Sequence, residues 1–178
     1  MGEPATSTSG STPPRGNSRY WAPAEIPWVK TGEVAFAPIT RTEECISKAA
    51  LAECSLTLLP PKSVLIAMIG QGKTRGQSAI LEIEATTNQN CFAVLPNETW
   101  EPEFLYYWLV AHYQSLRKLS ANRGGSQSAL NGTLLNSLAI PAPDRSQQQA
   151  LVRHARQVLQ DIDLLESSCR AQDAELNL

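Results

Sequence analysis

The C-terminal stretch constrains the fold most, because residues 145–176 contain neither proline nor glycine. Both residues disfavour helix interiors, so the stretch predicts one continuous helix, about 45 Å long at roughly 1.5 Å per residue. Along it, apolar residues recur at alternating spacings of four and three, the pattern of a heptad stripe. This stripe consists of Leu151, Ala155, Val158, Ile162, Leu165 and Cys169. A single apolar stripe predicts pairing with a second helix, of the same or another chain; the alternative is packing against its own domain.

Three apolar segments ahead of this helix predict strands. Residues 64–69 form a continuous apolar run between a proline and a glycine, which is typical of a buried strand. Residues 78–84 and 91–95 predict two further strands. Residues 102–119 follow with aromatic and leucine side chains at helical spacing and a proline near the start, so they predict a helix.

The rest of the chain completes a predicted division into three parts. Residues 40–43, Thr-Arg-Thr-Glu, have the spacing of a capping box and predict a short helix that ends near Ala52. Residues 1–19 are rich in Ser, Thr, Pro and Gly and predict a flexible segment. We therefore expect an α+β protein with a flexible N-terminus, a mixed α/β domain over residues 20–143, and a coiled-coil-like helix over residues 144–178.

The charge distribution leaves room for a local basic surface. The chain has 15 basic and 17 acidic residues, a net charge of −2, which by itself disfavours binding to a polyanion. Between Glu103 and Asp144, however, there is no acidic residue, and Arg117, Lys118 and Arg123 fall in this interval. Only 18% of the residues are charged, so uncharged polar side chains, which can also read base edges, are prominent.

The cysteine and histidine pattern predicts no metal site. None of the four cysteines lies within four residues of another, and neither histidine is next to a cysteine. We therefore expect buried free thiols. The N-terminus lacks the apolar segment of a signal peptide, and no apolar run approaches the roughly 20 residues of a membrane span, so we expect a cytoplasmic protein.

A glycine-flanked loop after the first buried strand is the strongest candidate for a ligand contact. Residues 67–74 nearly match the P-loop of nucleotide-binding proteins, but the first position is Ala67 and a strand is predicted where a P-loop needs a helix. Glycines let the backbone approach a polyanion, Lys and Arg bind phosphate or guanine, and Gln pairs with adenine. The loop therefore predicts a DNA contact; the alternative is an ordinary polar hairpin.

Other polar and aromatic groups extend this interpretation, whereas catalytic motifs are absent. Two clusters, residues 86–90 and 122–127, repeat the chemistry of the loop. Tyr20, Trp21 and Trp28 could stack on bases, although core packing is the more common use of such residues. The sequence contains no G-x-S-x-G elbow, no D/N-P-P-Y/F motif of amino-methyltransferases and no [DE]-x-K triplet of nucleases. We therefore expect no catalytic residues and no cofactor on this chain.

A series of short segments between about Ser9 and Asp173 carries a family resemblance through its order and spacing. The segments are Ser9-Gly-Ser-Thr-Pro-Pro-Arg15, Tyr20-Trp21, Ile26-Pro-Trp-Val-Lys-Thr-Gly32, Ile39-Thr40, Ile46-Ser47, Leu59-Pro-Pro-Lys-Ser-Val-Leu-Ile66, Gly70-Gln-Gly-Lys-Thr-Arg-Gly76, Thr87-Asn-Gln89, Phe104-Leu-Tyr-Tyr-Trp-Leu109, Gly125-Ser-Gln127, Leu138-Ala-Ile-Pro-Ala-Pro143 and Gln147-Gln-Gln149. Together they resemble the target-recognition domain and conserved spacer helix of type I restriction–modification specificity subunits.

This resemblance implies a sequence-specific DNA-binding subunit without catalytic activity. Residues 20–143 would form the target-recognition domain, with one face along the DNA major groove, and residues 144–178 the spacer helix. Modification subunits would dock on it and supply S-adenosylmethionine and the chemistry, and restriction subunits, if present, would join them. Family members usually carry two recognition domains and two antiparallel spacer helices, whereas this chain shows one of each. It would thus read one half of a bipartite target, as a half-length subunit, a truncated gene product or an excised fragment.

The sequence and the resemblance together define the candidate residues. Those expected to contact DNA are Arg15, Arg19, Tyr20, Gln71, Lys73, Thr74, Arg75, Asn88, Gln89, Asn122, Arg123, Ser126 and Gln127. The heptad stripe is expected to pair helices, most simply in a two-fold homodimer. The alternatives are a specificity domain from a restriction–methylation enzyme of another type, a methyltransferase or nuclease in its own right, and a helix-mediated interaction module without DNA specificity.

Overall fold

The chain divides into two units, with the boundary between Ala142 and Pro143. The structure is a computed structural model that describes residues 5–70, 72–121 and 129–176. Its strands are β1 (Ser7–Ser9), β2 (Ile26–Val29), β3 (Glu44–Ile46), β4 (Val64–Ala67), β5 (Ser78–Ile80), β6 (Thr86–Thr87) and β7 (Cys91–Val94). Its α-helices are α1 (Lys48–Glu53), α2 (Pro102–Ala111), α3 (Tyr113–Ala121), α4 (Gly132–Asn136) and α5 (Arg145–Leu176). This confirms the predicted α+β class.

The strands of the first unit form a four-stranded and a three-stranded sheet within the described residues. The larger sheet has the order β1-β7-β4-β5, and all of its neighbouring strands are antiparallel. In the smaller sheet, β2 lies between β3, to which it is antiparallel, and β6, to which it is parallel. Two short 3-10 helices, Ser18–Tyr20 and Thr31–Glu33, flank β2 in the sequence.

The central strand β4 is buried on both faces, which explains its continuous apolar sequence. Val64 and Ile66 belong to a core cluster shared with α2, α3 and α4. Leu65 and Ala67 alternate with them and belong to a second cluster, which is shared with β2, β5 and β7. The prediction of a buried strand here is confirmed, and so are the strands predicted near residues 78–84 and 91–95, although β5 ends at Ile80.

The helix predicted at residues 102–119 is present but interrupted. α2 ends at Ala111 and α3 begins at Tyr113, with His112 as the C-cap of α2. The His112 backbone N–H donates to the carbonyl of Trp108, and the His112 ring stacks on the Trp108 ring at a centroid distance of 3.9 Å. The interruption makes α3 a separate helix, and α3 is the helix that contacts the loop between β4 and β5.

The prediction that residues 1–19 are flexible is wrong for the described part of that segment. β1 pairs in register with β7, from Ser7 opposite Val94 to Ser9 opposite Phe92. Beyond the strand, the Ser11 backbone N–H donates to the Thr87 carbonyl at 3.0 Å. The segment is polar because it is an edge strand, and its order comes from backbone pairing, which composition does not reveal.

The helix predicted to begin at residues 40–43 begins later. Glu44–Ile46 is strand β3, paired with β2, and the helix α1 starts only at Lys48. Its N-cap is Ser47, whose hydroxyl accepts from the Ala50 backbone N–H at 3.2 Å. The capping-box spacing at residues 40–43 is therefore not used as a cap, since sheet pairing takes the residues that follow it.

The second unit is the helix α5, which has 32 residues and confirms the predicted long C-terminal helix. A capping box begins it: the Asp144 carboxylate accepts from the Gln147 backbone N–H at 2.9 Å, and the Gln147 side chain accepts from the Asp144 backbone N–H at 3.2 Å. The apolar stripe is largely solvent-exposed in the chain, with Leu151 at 52%, Ile162 at 44% and Leu165 at 66%.

Candidate nucleic-acid interface

The glycine-flanked loop is the connection between the antiparallel strands β4 and β5. Its base is closed by backbone hydrogen bonds from Ala67 to Gln77 at 2.9 Å and from Gly76 to Ala67 at 2.8 Å. Because a strand follows the loop, no helix N-terminus stands behind it to hold a phosphate as in a P-loop. The geometry excludes that arrangement and leaves an extended polar hairpin.

Helix α3 lies against this loop and is hydrogen-bonded to its backbone. The Tyr113 hydroxyl donates to the Lys73 carbonyl at 2.6 Å, and the Arg117 guanidinium donates to the Arg75 carbonyl at 2.9 Å. Gly76 has φ +86, a conformation that side-chain-bearing residues rarely adopt, and its α-carbon faces the Tyr113 ring and the Arg117 chain. The loop and α3 therefore form one surface.

The loop and α3 carry three basic side chains that have no carboxylate partner among the described residues. Lys73 and Lys118 are exposed and Arg117 is half-buried. Within the part of the chain that the structure describes, none of these three side chains forms an ion pair with a carboxylate. We call Lys73, Arg117 and Lys118 the basic surface. Ammonium and guanidinium groups without carboxylate partners suit the binding of phosphate.

Two further predicted contacts in the loop have different exposures. Arg75 is only 8% exposed, so its side chain lies within the surface and is not presented to solvent in this conformation. Burial, and after it the nearby charge of Arg117, lower the pKa of the Arg75 guanidinium. Thr74 is partly exposed beside Lys73. Of the described members of the predicted loop contact, Lys73 and Thr74 are thus the accessible ones.

Arg15 lies in a structural network at the start of the domain. Its guanidinium pairs with the Glu44 carboxylate and stacks over the Trp21 ring, with its central carbon 3.9 Å from the ring centroid. The hydrogen bond from Arg15 is the main cause that lowers the pKa of Glu44. Trp28, which was a candidate for base stacking, is 2% exposed and belongs to the core instead.

Arg19 and Tyr20 share a carboxylate. The Arg19 guanidinium donates to Glu53 at 2.5 and 2.9 Å, and the Tyr20 hydroxyl donates to the same group at 3.1 Å. The hydrogen bond to Glu53 raises the pKa of the Tyr20 hydroxyl. These two residues lie at the surface but already have an anionic partner, so a DNA phosphate would have to compete with Glu53.

The polar cluster at residues 86–90 is tied to neighbouring segments. The Asn88 side-chain oxygen accepts from the Thr31 hydroxyl at 2.9 Å and from the Asn90 backbone N–H at 3.1 Å. Gln89 is exposed, and its side-chain oxygen accepts from the Thr12 hydroxyl at 2.6 Å. Asn88 therefore organises the turn, while the amide nitrogen of Gln89 donates to no described residue and can make other contacts.

Five of the residues predicted to contact DNA lie outside the described residues, and two residues that contact the loop were not predicted. Gln71, Asn122, Arg123, Ser126 and Gln127 fall on residues that the structure does not describe. Tyr113 and Arg117 were not among the predicted site residues, yet they contact the loop directly. Arg117 stood out only as part of the stretch without acidic residues, and nothing local in the sequence connects Tyr113 with a loop 40 residues upstream.

Neither the cysteines nor the described pockets suggest a reactive centre. All four cysteines are free, but the expectation that they are buried is correct only for Cys91; Cys45 and Cys54 are half-buried and Cys169 is exposed. No group of three or more His, Cys, Asp or Glu side chains among the described residues could hold a metal ion. A pocket of about 390 Å³ beside α2 and α4 is lined mainly by apolar side chains, together with the polar residues Ser7 and Asn136.

Across the described residues, no helix combines the length and the apolar character that crossing a membrane requires.

Comparisons with known proteins agree on one family. The family described as the type I restriction modification DNA specificity domain matches residues 2–168. The chain is 25% identical over 169 residues to the EcoR124I/EcoR124II type I specificity subunit of Escherichia coli, covering 94% of this chain and 41% of that protein. It is 30% identical over 145 residues to the MjaIX specificity subunit of Methanocaldococcus jannaschii, covering 80% of this chain and 33% of that protein.

A solved structure shows the same fold. The HsdS subunit from Thermoanaerobacter tengcongensis superposes with a TM-score of 0.69 at 20% identity, covering 93% of this chain and 37% of that one. In each of these comparisons the chain spans less than half of the relative's own length.

Proposed function

The chain belongs to the family of type I restriction modification DNA specificity domains, and on that premise we propose that it reads part of a DNA target without catalysing a reaction. The observation that carries the proposal is the basic surface, where the exposed Lys73 and Lys118 and the half-buried Arg117 lie without carboxylate partners among the described residues. Phosphate contacts from such cations fix the register of a protein on DNA, and neighbouring polar side chains then read the bases.

The polar side chains near Lys73 support base reading beside phosphate binding. Thr74 is partly exposed next to it, and a threonine hydroxyl can hydrogen-bond to several base edges. Arg75 is a weaker candidate than the sequence suggested, because its side chain is buried. The proposed contact is therefore made by the tip of the loop, with Arg117 and Lys118 of α3 beside it.

The proposed partners follow from the family. Modification subunits would dock on this chain in the cytoplasm and bind S-adenosylmethionine, so the methyl transfer would occur on them, and restriction subunits would join where the system has them. The chain itself would contribute one half of a bipartite specificity. The exposed stripe of α5 is suited to bring a second copy of this chain, with a second recognition unit, to the complex.

The direct test is selection of duplex DNA from a random-sequence pool by the purified chain, with and without the modification subunit of the same system. We expect an enriched sequence, and an affinity for it that falls linearly with the logarithm of the salt concentration. If no sequence is enriched under either condition, the chain does not read DNA, and the alternative of a helix-mediated interaction module becomes the better account.

A matched pair of lysine substitutions tests whether the loop contacts the DNA phosphates. Lys73→Ala should weaken binding and reduce the slope of log affinity against log salt by about one, because one phosphate contact is lost. Lys48→Ala removes the same charge from a side chain that is 77% exposed and pairs with Glu25 at 2.9 Å. This control should leave the slope unchanged. If both variants have the same salt slope as the wild type, the loop does not contact the DNA phosphates.

A further inference from the structure

We propose that Tyr113 is a positioning residue for DNA reading, which acts by holding the backbone of Lys73 at the tip of the loop. The inference rests on the proposed function but goes beyond it, since it concerns a neutral residue on a different element. The Tyr113 hydroxyl donates to the Lys73 carbonyl at 2.6 Å, and this is a contact between α3 and the very residue whose ammonium group is presented to solvent.

The Tyr113 ring is itself fixed in place by three neighbours. The ring of Phe36 packs edge-on against it at a centroid distance of 5.1 Å. The Arg117 guanidinium lies over its face at 5.4 Å, and Gly76 approaches it so closely that an added β-carbon would be 3.4 Å from the ring. A hydroxyl on a ring held this way is a rigid anchor for the loop.

The loop needs an anchor because its own sequence favours mobility. A β-carbon added at Gly72 would have no described atom within 4 Å apart from its chain neighbours, and glycine loses more conformational freedom on ordering than any other residue. Backbone hydrogen bonds fix Ala67, Gly76 and Gln77 at the base of the hairpin, and the Gln77 N–H also donates to the Thr74 carbonyl at 2.9 Å. Among the described residues, the hydrogen bond to the Lys73 carbonyl itself comes from Tyr113. The bond from Tyr113 restricts the tip before DNA arrives, so part of the ordering cost is removed from the binding step.

The test is Tyr113→Phe in the full chain, measured on the duplex that the wild type selects from the random pool. The substitution removes one hydroxyl and no charge. We expect affinity to fall about 3- to 10-fold, the range for one net hydrogen bond, and the salt slope to fall by up to about one because Lys73 no longer reaches its phosphate in every complex. A purely structural role would lower the melting temperature without changing the salt slope.

The matched control is Tyr107→Phe, a neighbouring tyrosine on α2 whose hydroxyl makes no hydrogen bond to a described residue. It should bind DNA as the wild type does. A double-mutant cycle with Lys73→Ala then separates positioning from direct contact. If Tyr113 acts through Lys73, Tyr113→Phe has no further effect once the lysine side chain is removed. If it touches DNA itself, the loss is the same in both backgrounds, and the inference is overturned.

The remaining outcomes distinguish this inference from the proposed function. Wild-type affinity and salt slope in Tyr113→Phe would refute the positioning role while DNA reading stands. An unaffected Lys73→Ala variant would refute it as well, because there would be no contact to position. If the wild-type chain enriches no sequence, the proposed function fails and the positioning role falls with it.

Discussion

At the residue scale, the burial of Cys91 predicts that its thiol reacts slowly. Its side chain has no exposed surface, and desolvation raises the pKa of its thiol to about 12, although the hydrogen bond with Thr31 works in the opposite direction. The thiolate is the reactive form of cysteine. We therefore expect Cys91 to resist maleimide labelling at pH 8 in the folded chain, as measured by mass spectrometry of peptides after limited reaction.

Cys169 is the internal control for that experiment, because it is exposed on α5 and should react fully under the same conditions. Adding denaturant should make both cysteines react alike. Rapid labelling of Cys91 in the native chain would mean that the core around β7 opens far more readily than its packing suggests.

The same thiol makes stability depend on pH at the alkaline end. Its pKa is about 12 in the folded chain, against an ordinary value of 9.0. The unfolded chain therefore loses this proton first as the pH rises. The stability associated with the buried neutral thiol is fully present below about pH 9 and is lost progressively as the pH rises toward 12.

Individual site residues could be predicted from the sequence only where their neighbours in the chain decide their environment. Lys73, flanked by glycines on a hairpin, is exposed as its local sequence suggests. Arg15 and Arg19 look equally available in the sequence, but they pair with Glu44 and Glu53, which lie 29 and 34 residues away. Such pairing depends on the fold, and a local pattern cannot report it.

At the element scale, the edge strand β1 depends on a close backbone approach at Gly10. A β-carbon at this position would be 1.8 Å from the carbonyl oxygen of Thr87, which a rigid backbone cannot accommodate. Gly10→Ala should therefore push the N-terminal segment away from β6 and lower the free energy of unfolding by about 1–3 kcal/mol. The measurement is the midpoint of urea unfolding, followed by circular dichroism.

Gly16→Ala is the matched control for the edge strand, because apart from its chain neighbours no described atom lies within 4 Å of an added β-carbon there. The two substitutions are chemically identical and lie in the same segment. Gly16→Ala should change the stability by no more than about 0.5 kcal/mol. If both variants unfold at the same urea concentration, the segment before Gly10 does not contribute to the stability of the sheet.

Elements whose hydrophobic pattern is local were predicted correctly, and those formed by distant pairing were not. β4 and α5 carry their own signals, a continuous apolar run and a heptad stripe. β1 is Ser-Thr-Ser, and its partner β7 lies more than 80 residues later in the chain. β3 occupies residues that a capping-box spacing had assigned to a helix, since pairing with β2 outweighs a weak helix signal.

At the scale of the whole molecule, the exposed stripe of α5 leads to a prediction about assembly. Leu151, Val158, Ile162 and Leu165 are each between 42% and 66% exposed, and exposed apolar stripes of this length are covered by a second helix in stable proteins. A two-fold dimer would bury the stripe of each helix against its copy, which stabilises by about 25 cal/mol per Å² of apolar surface removed from water. We expect a dimer by light scattering at micromolar concentration.

The dimer has a consequence for the DNA target, because two copies related by a two-fold axis present identical recognition units in opposite orientations. The selected sequence should then be an interrupted palindrome, with a spacing set by the paired helices. Leu165→Glu should shift the mass to that of the monomer and reduce selection to a single half-site. Leu164→Glu is the control, since both leucines are 66% exposed but Leu164 lies outside the stripe. A wild-type monomer at these concentrations, or equal masses for the two variants, would contradict the dimer and the palindrome together.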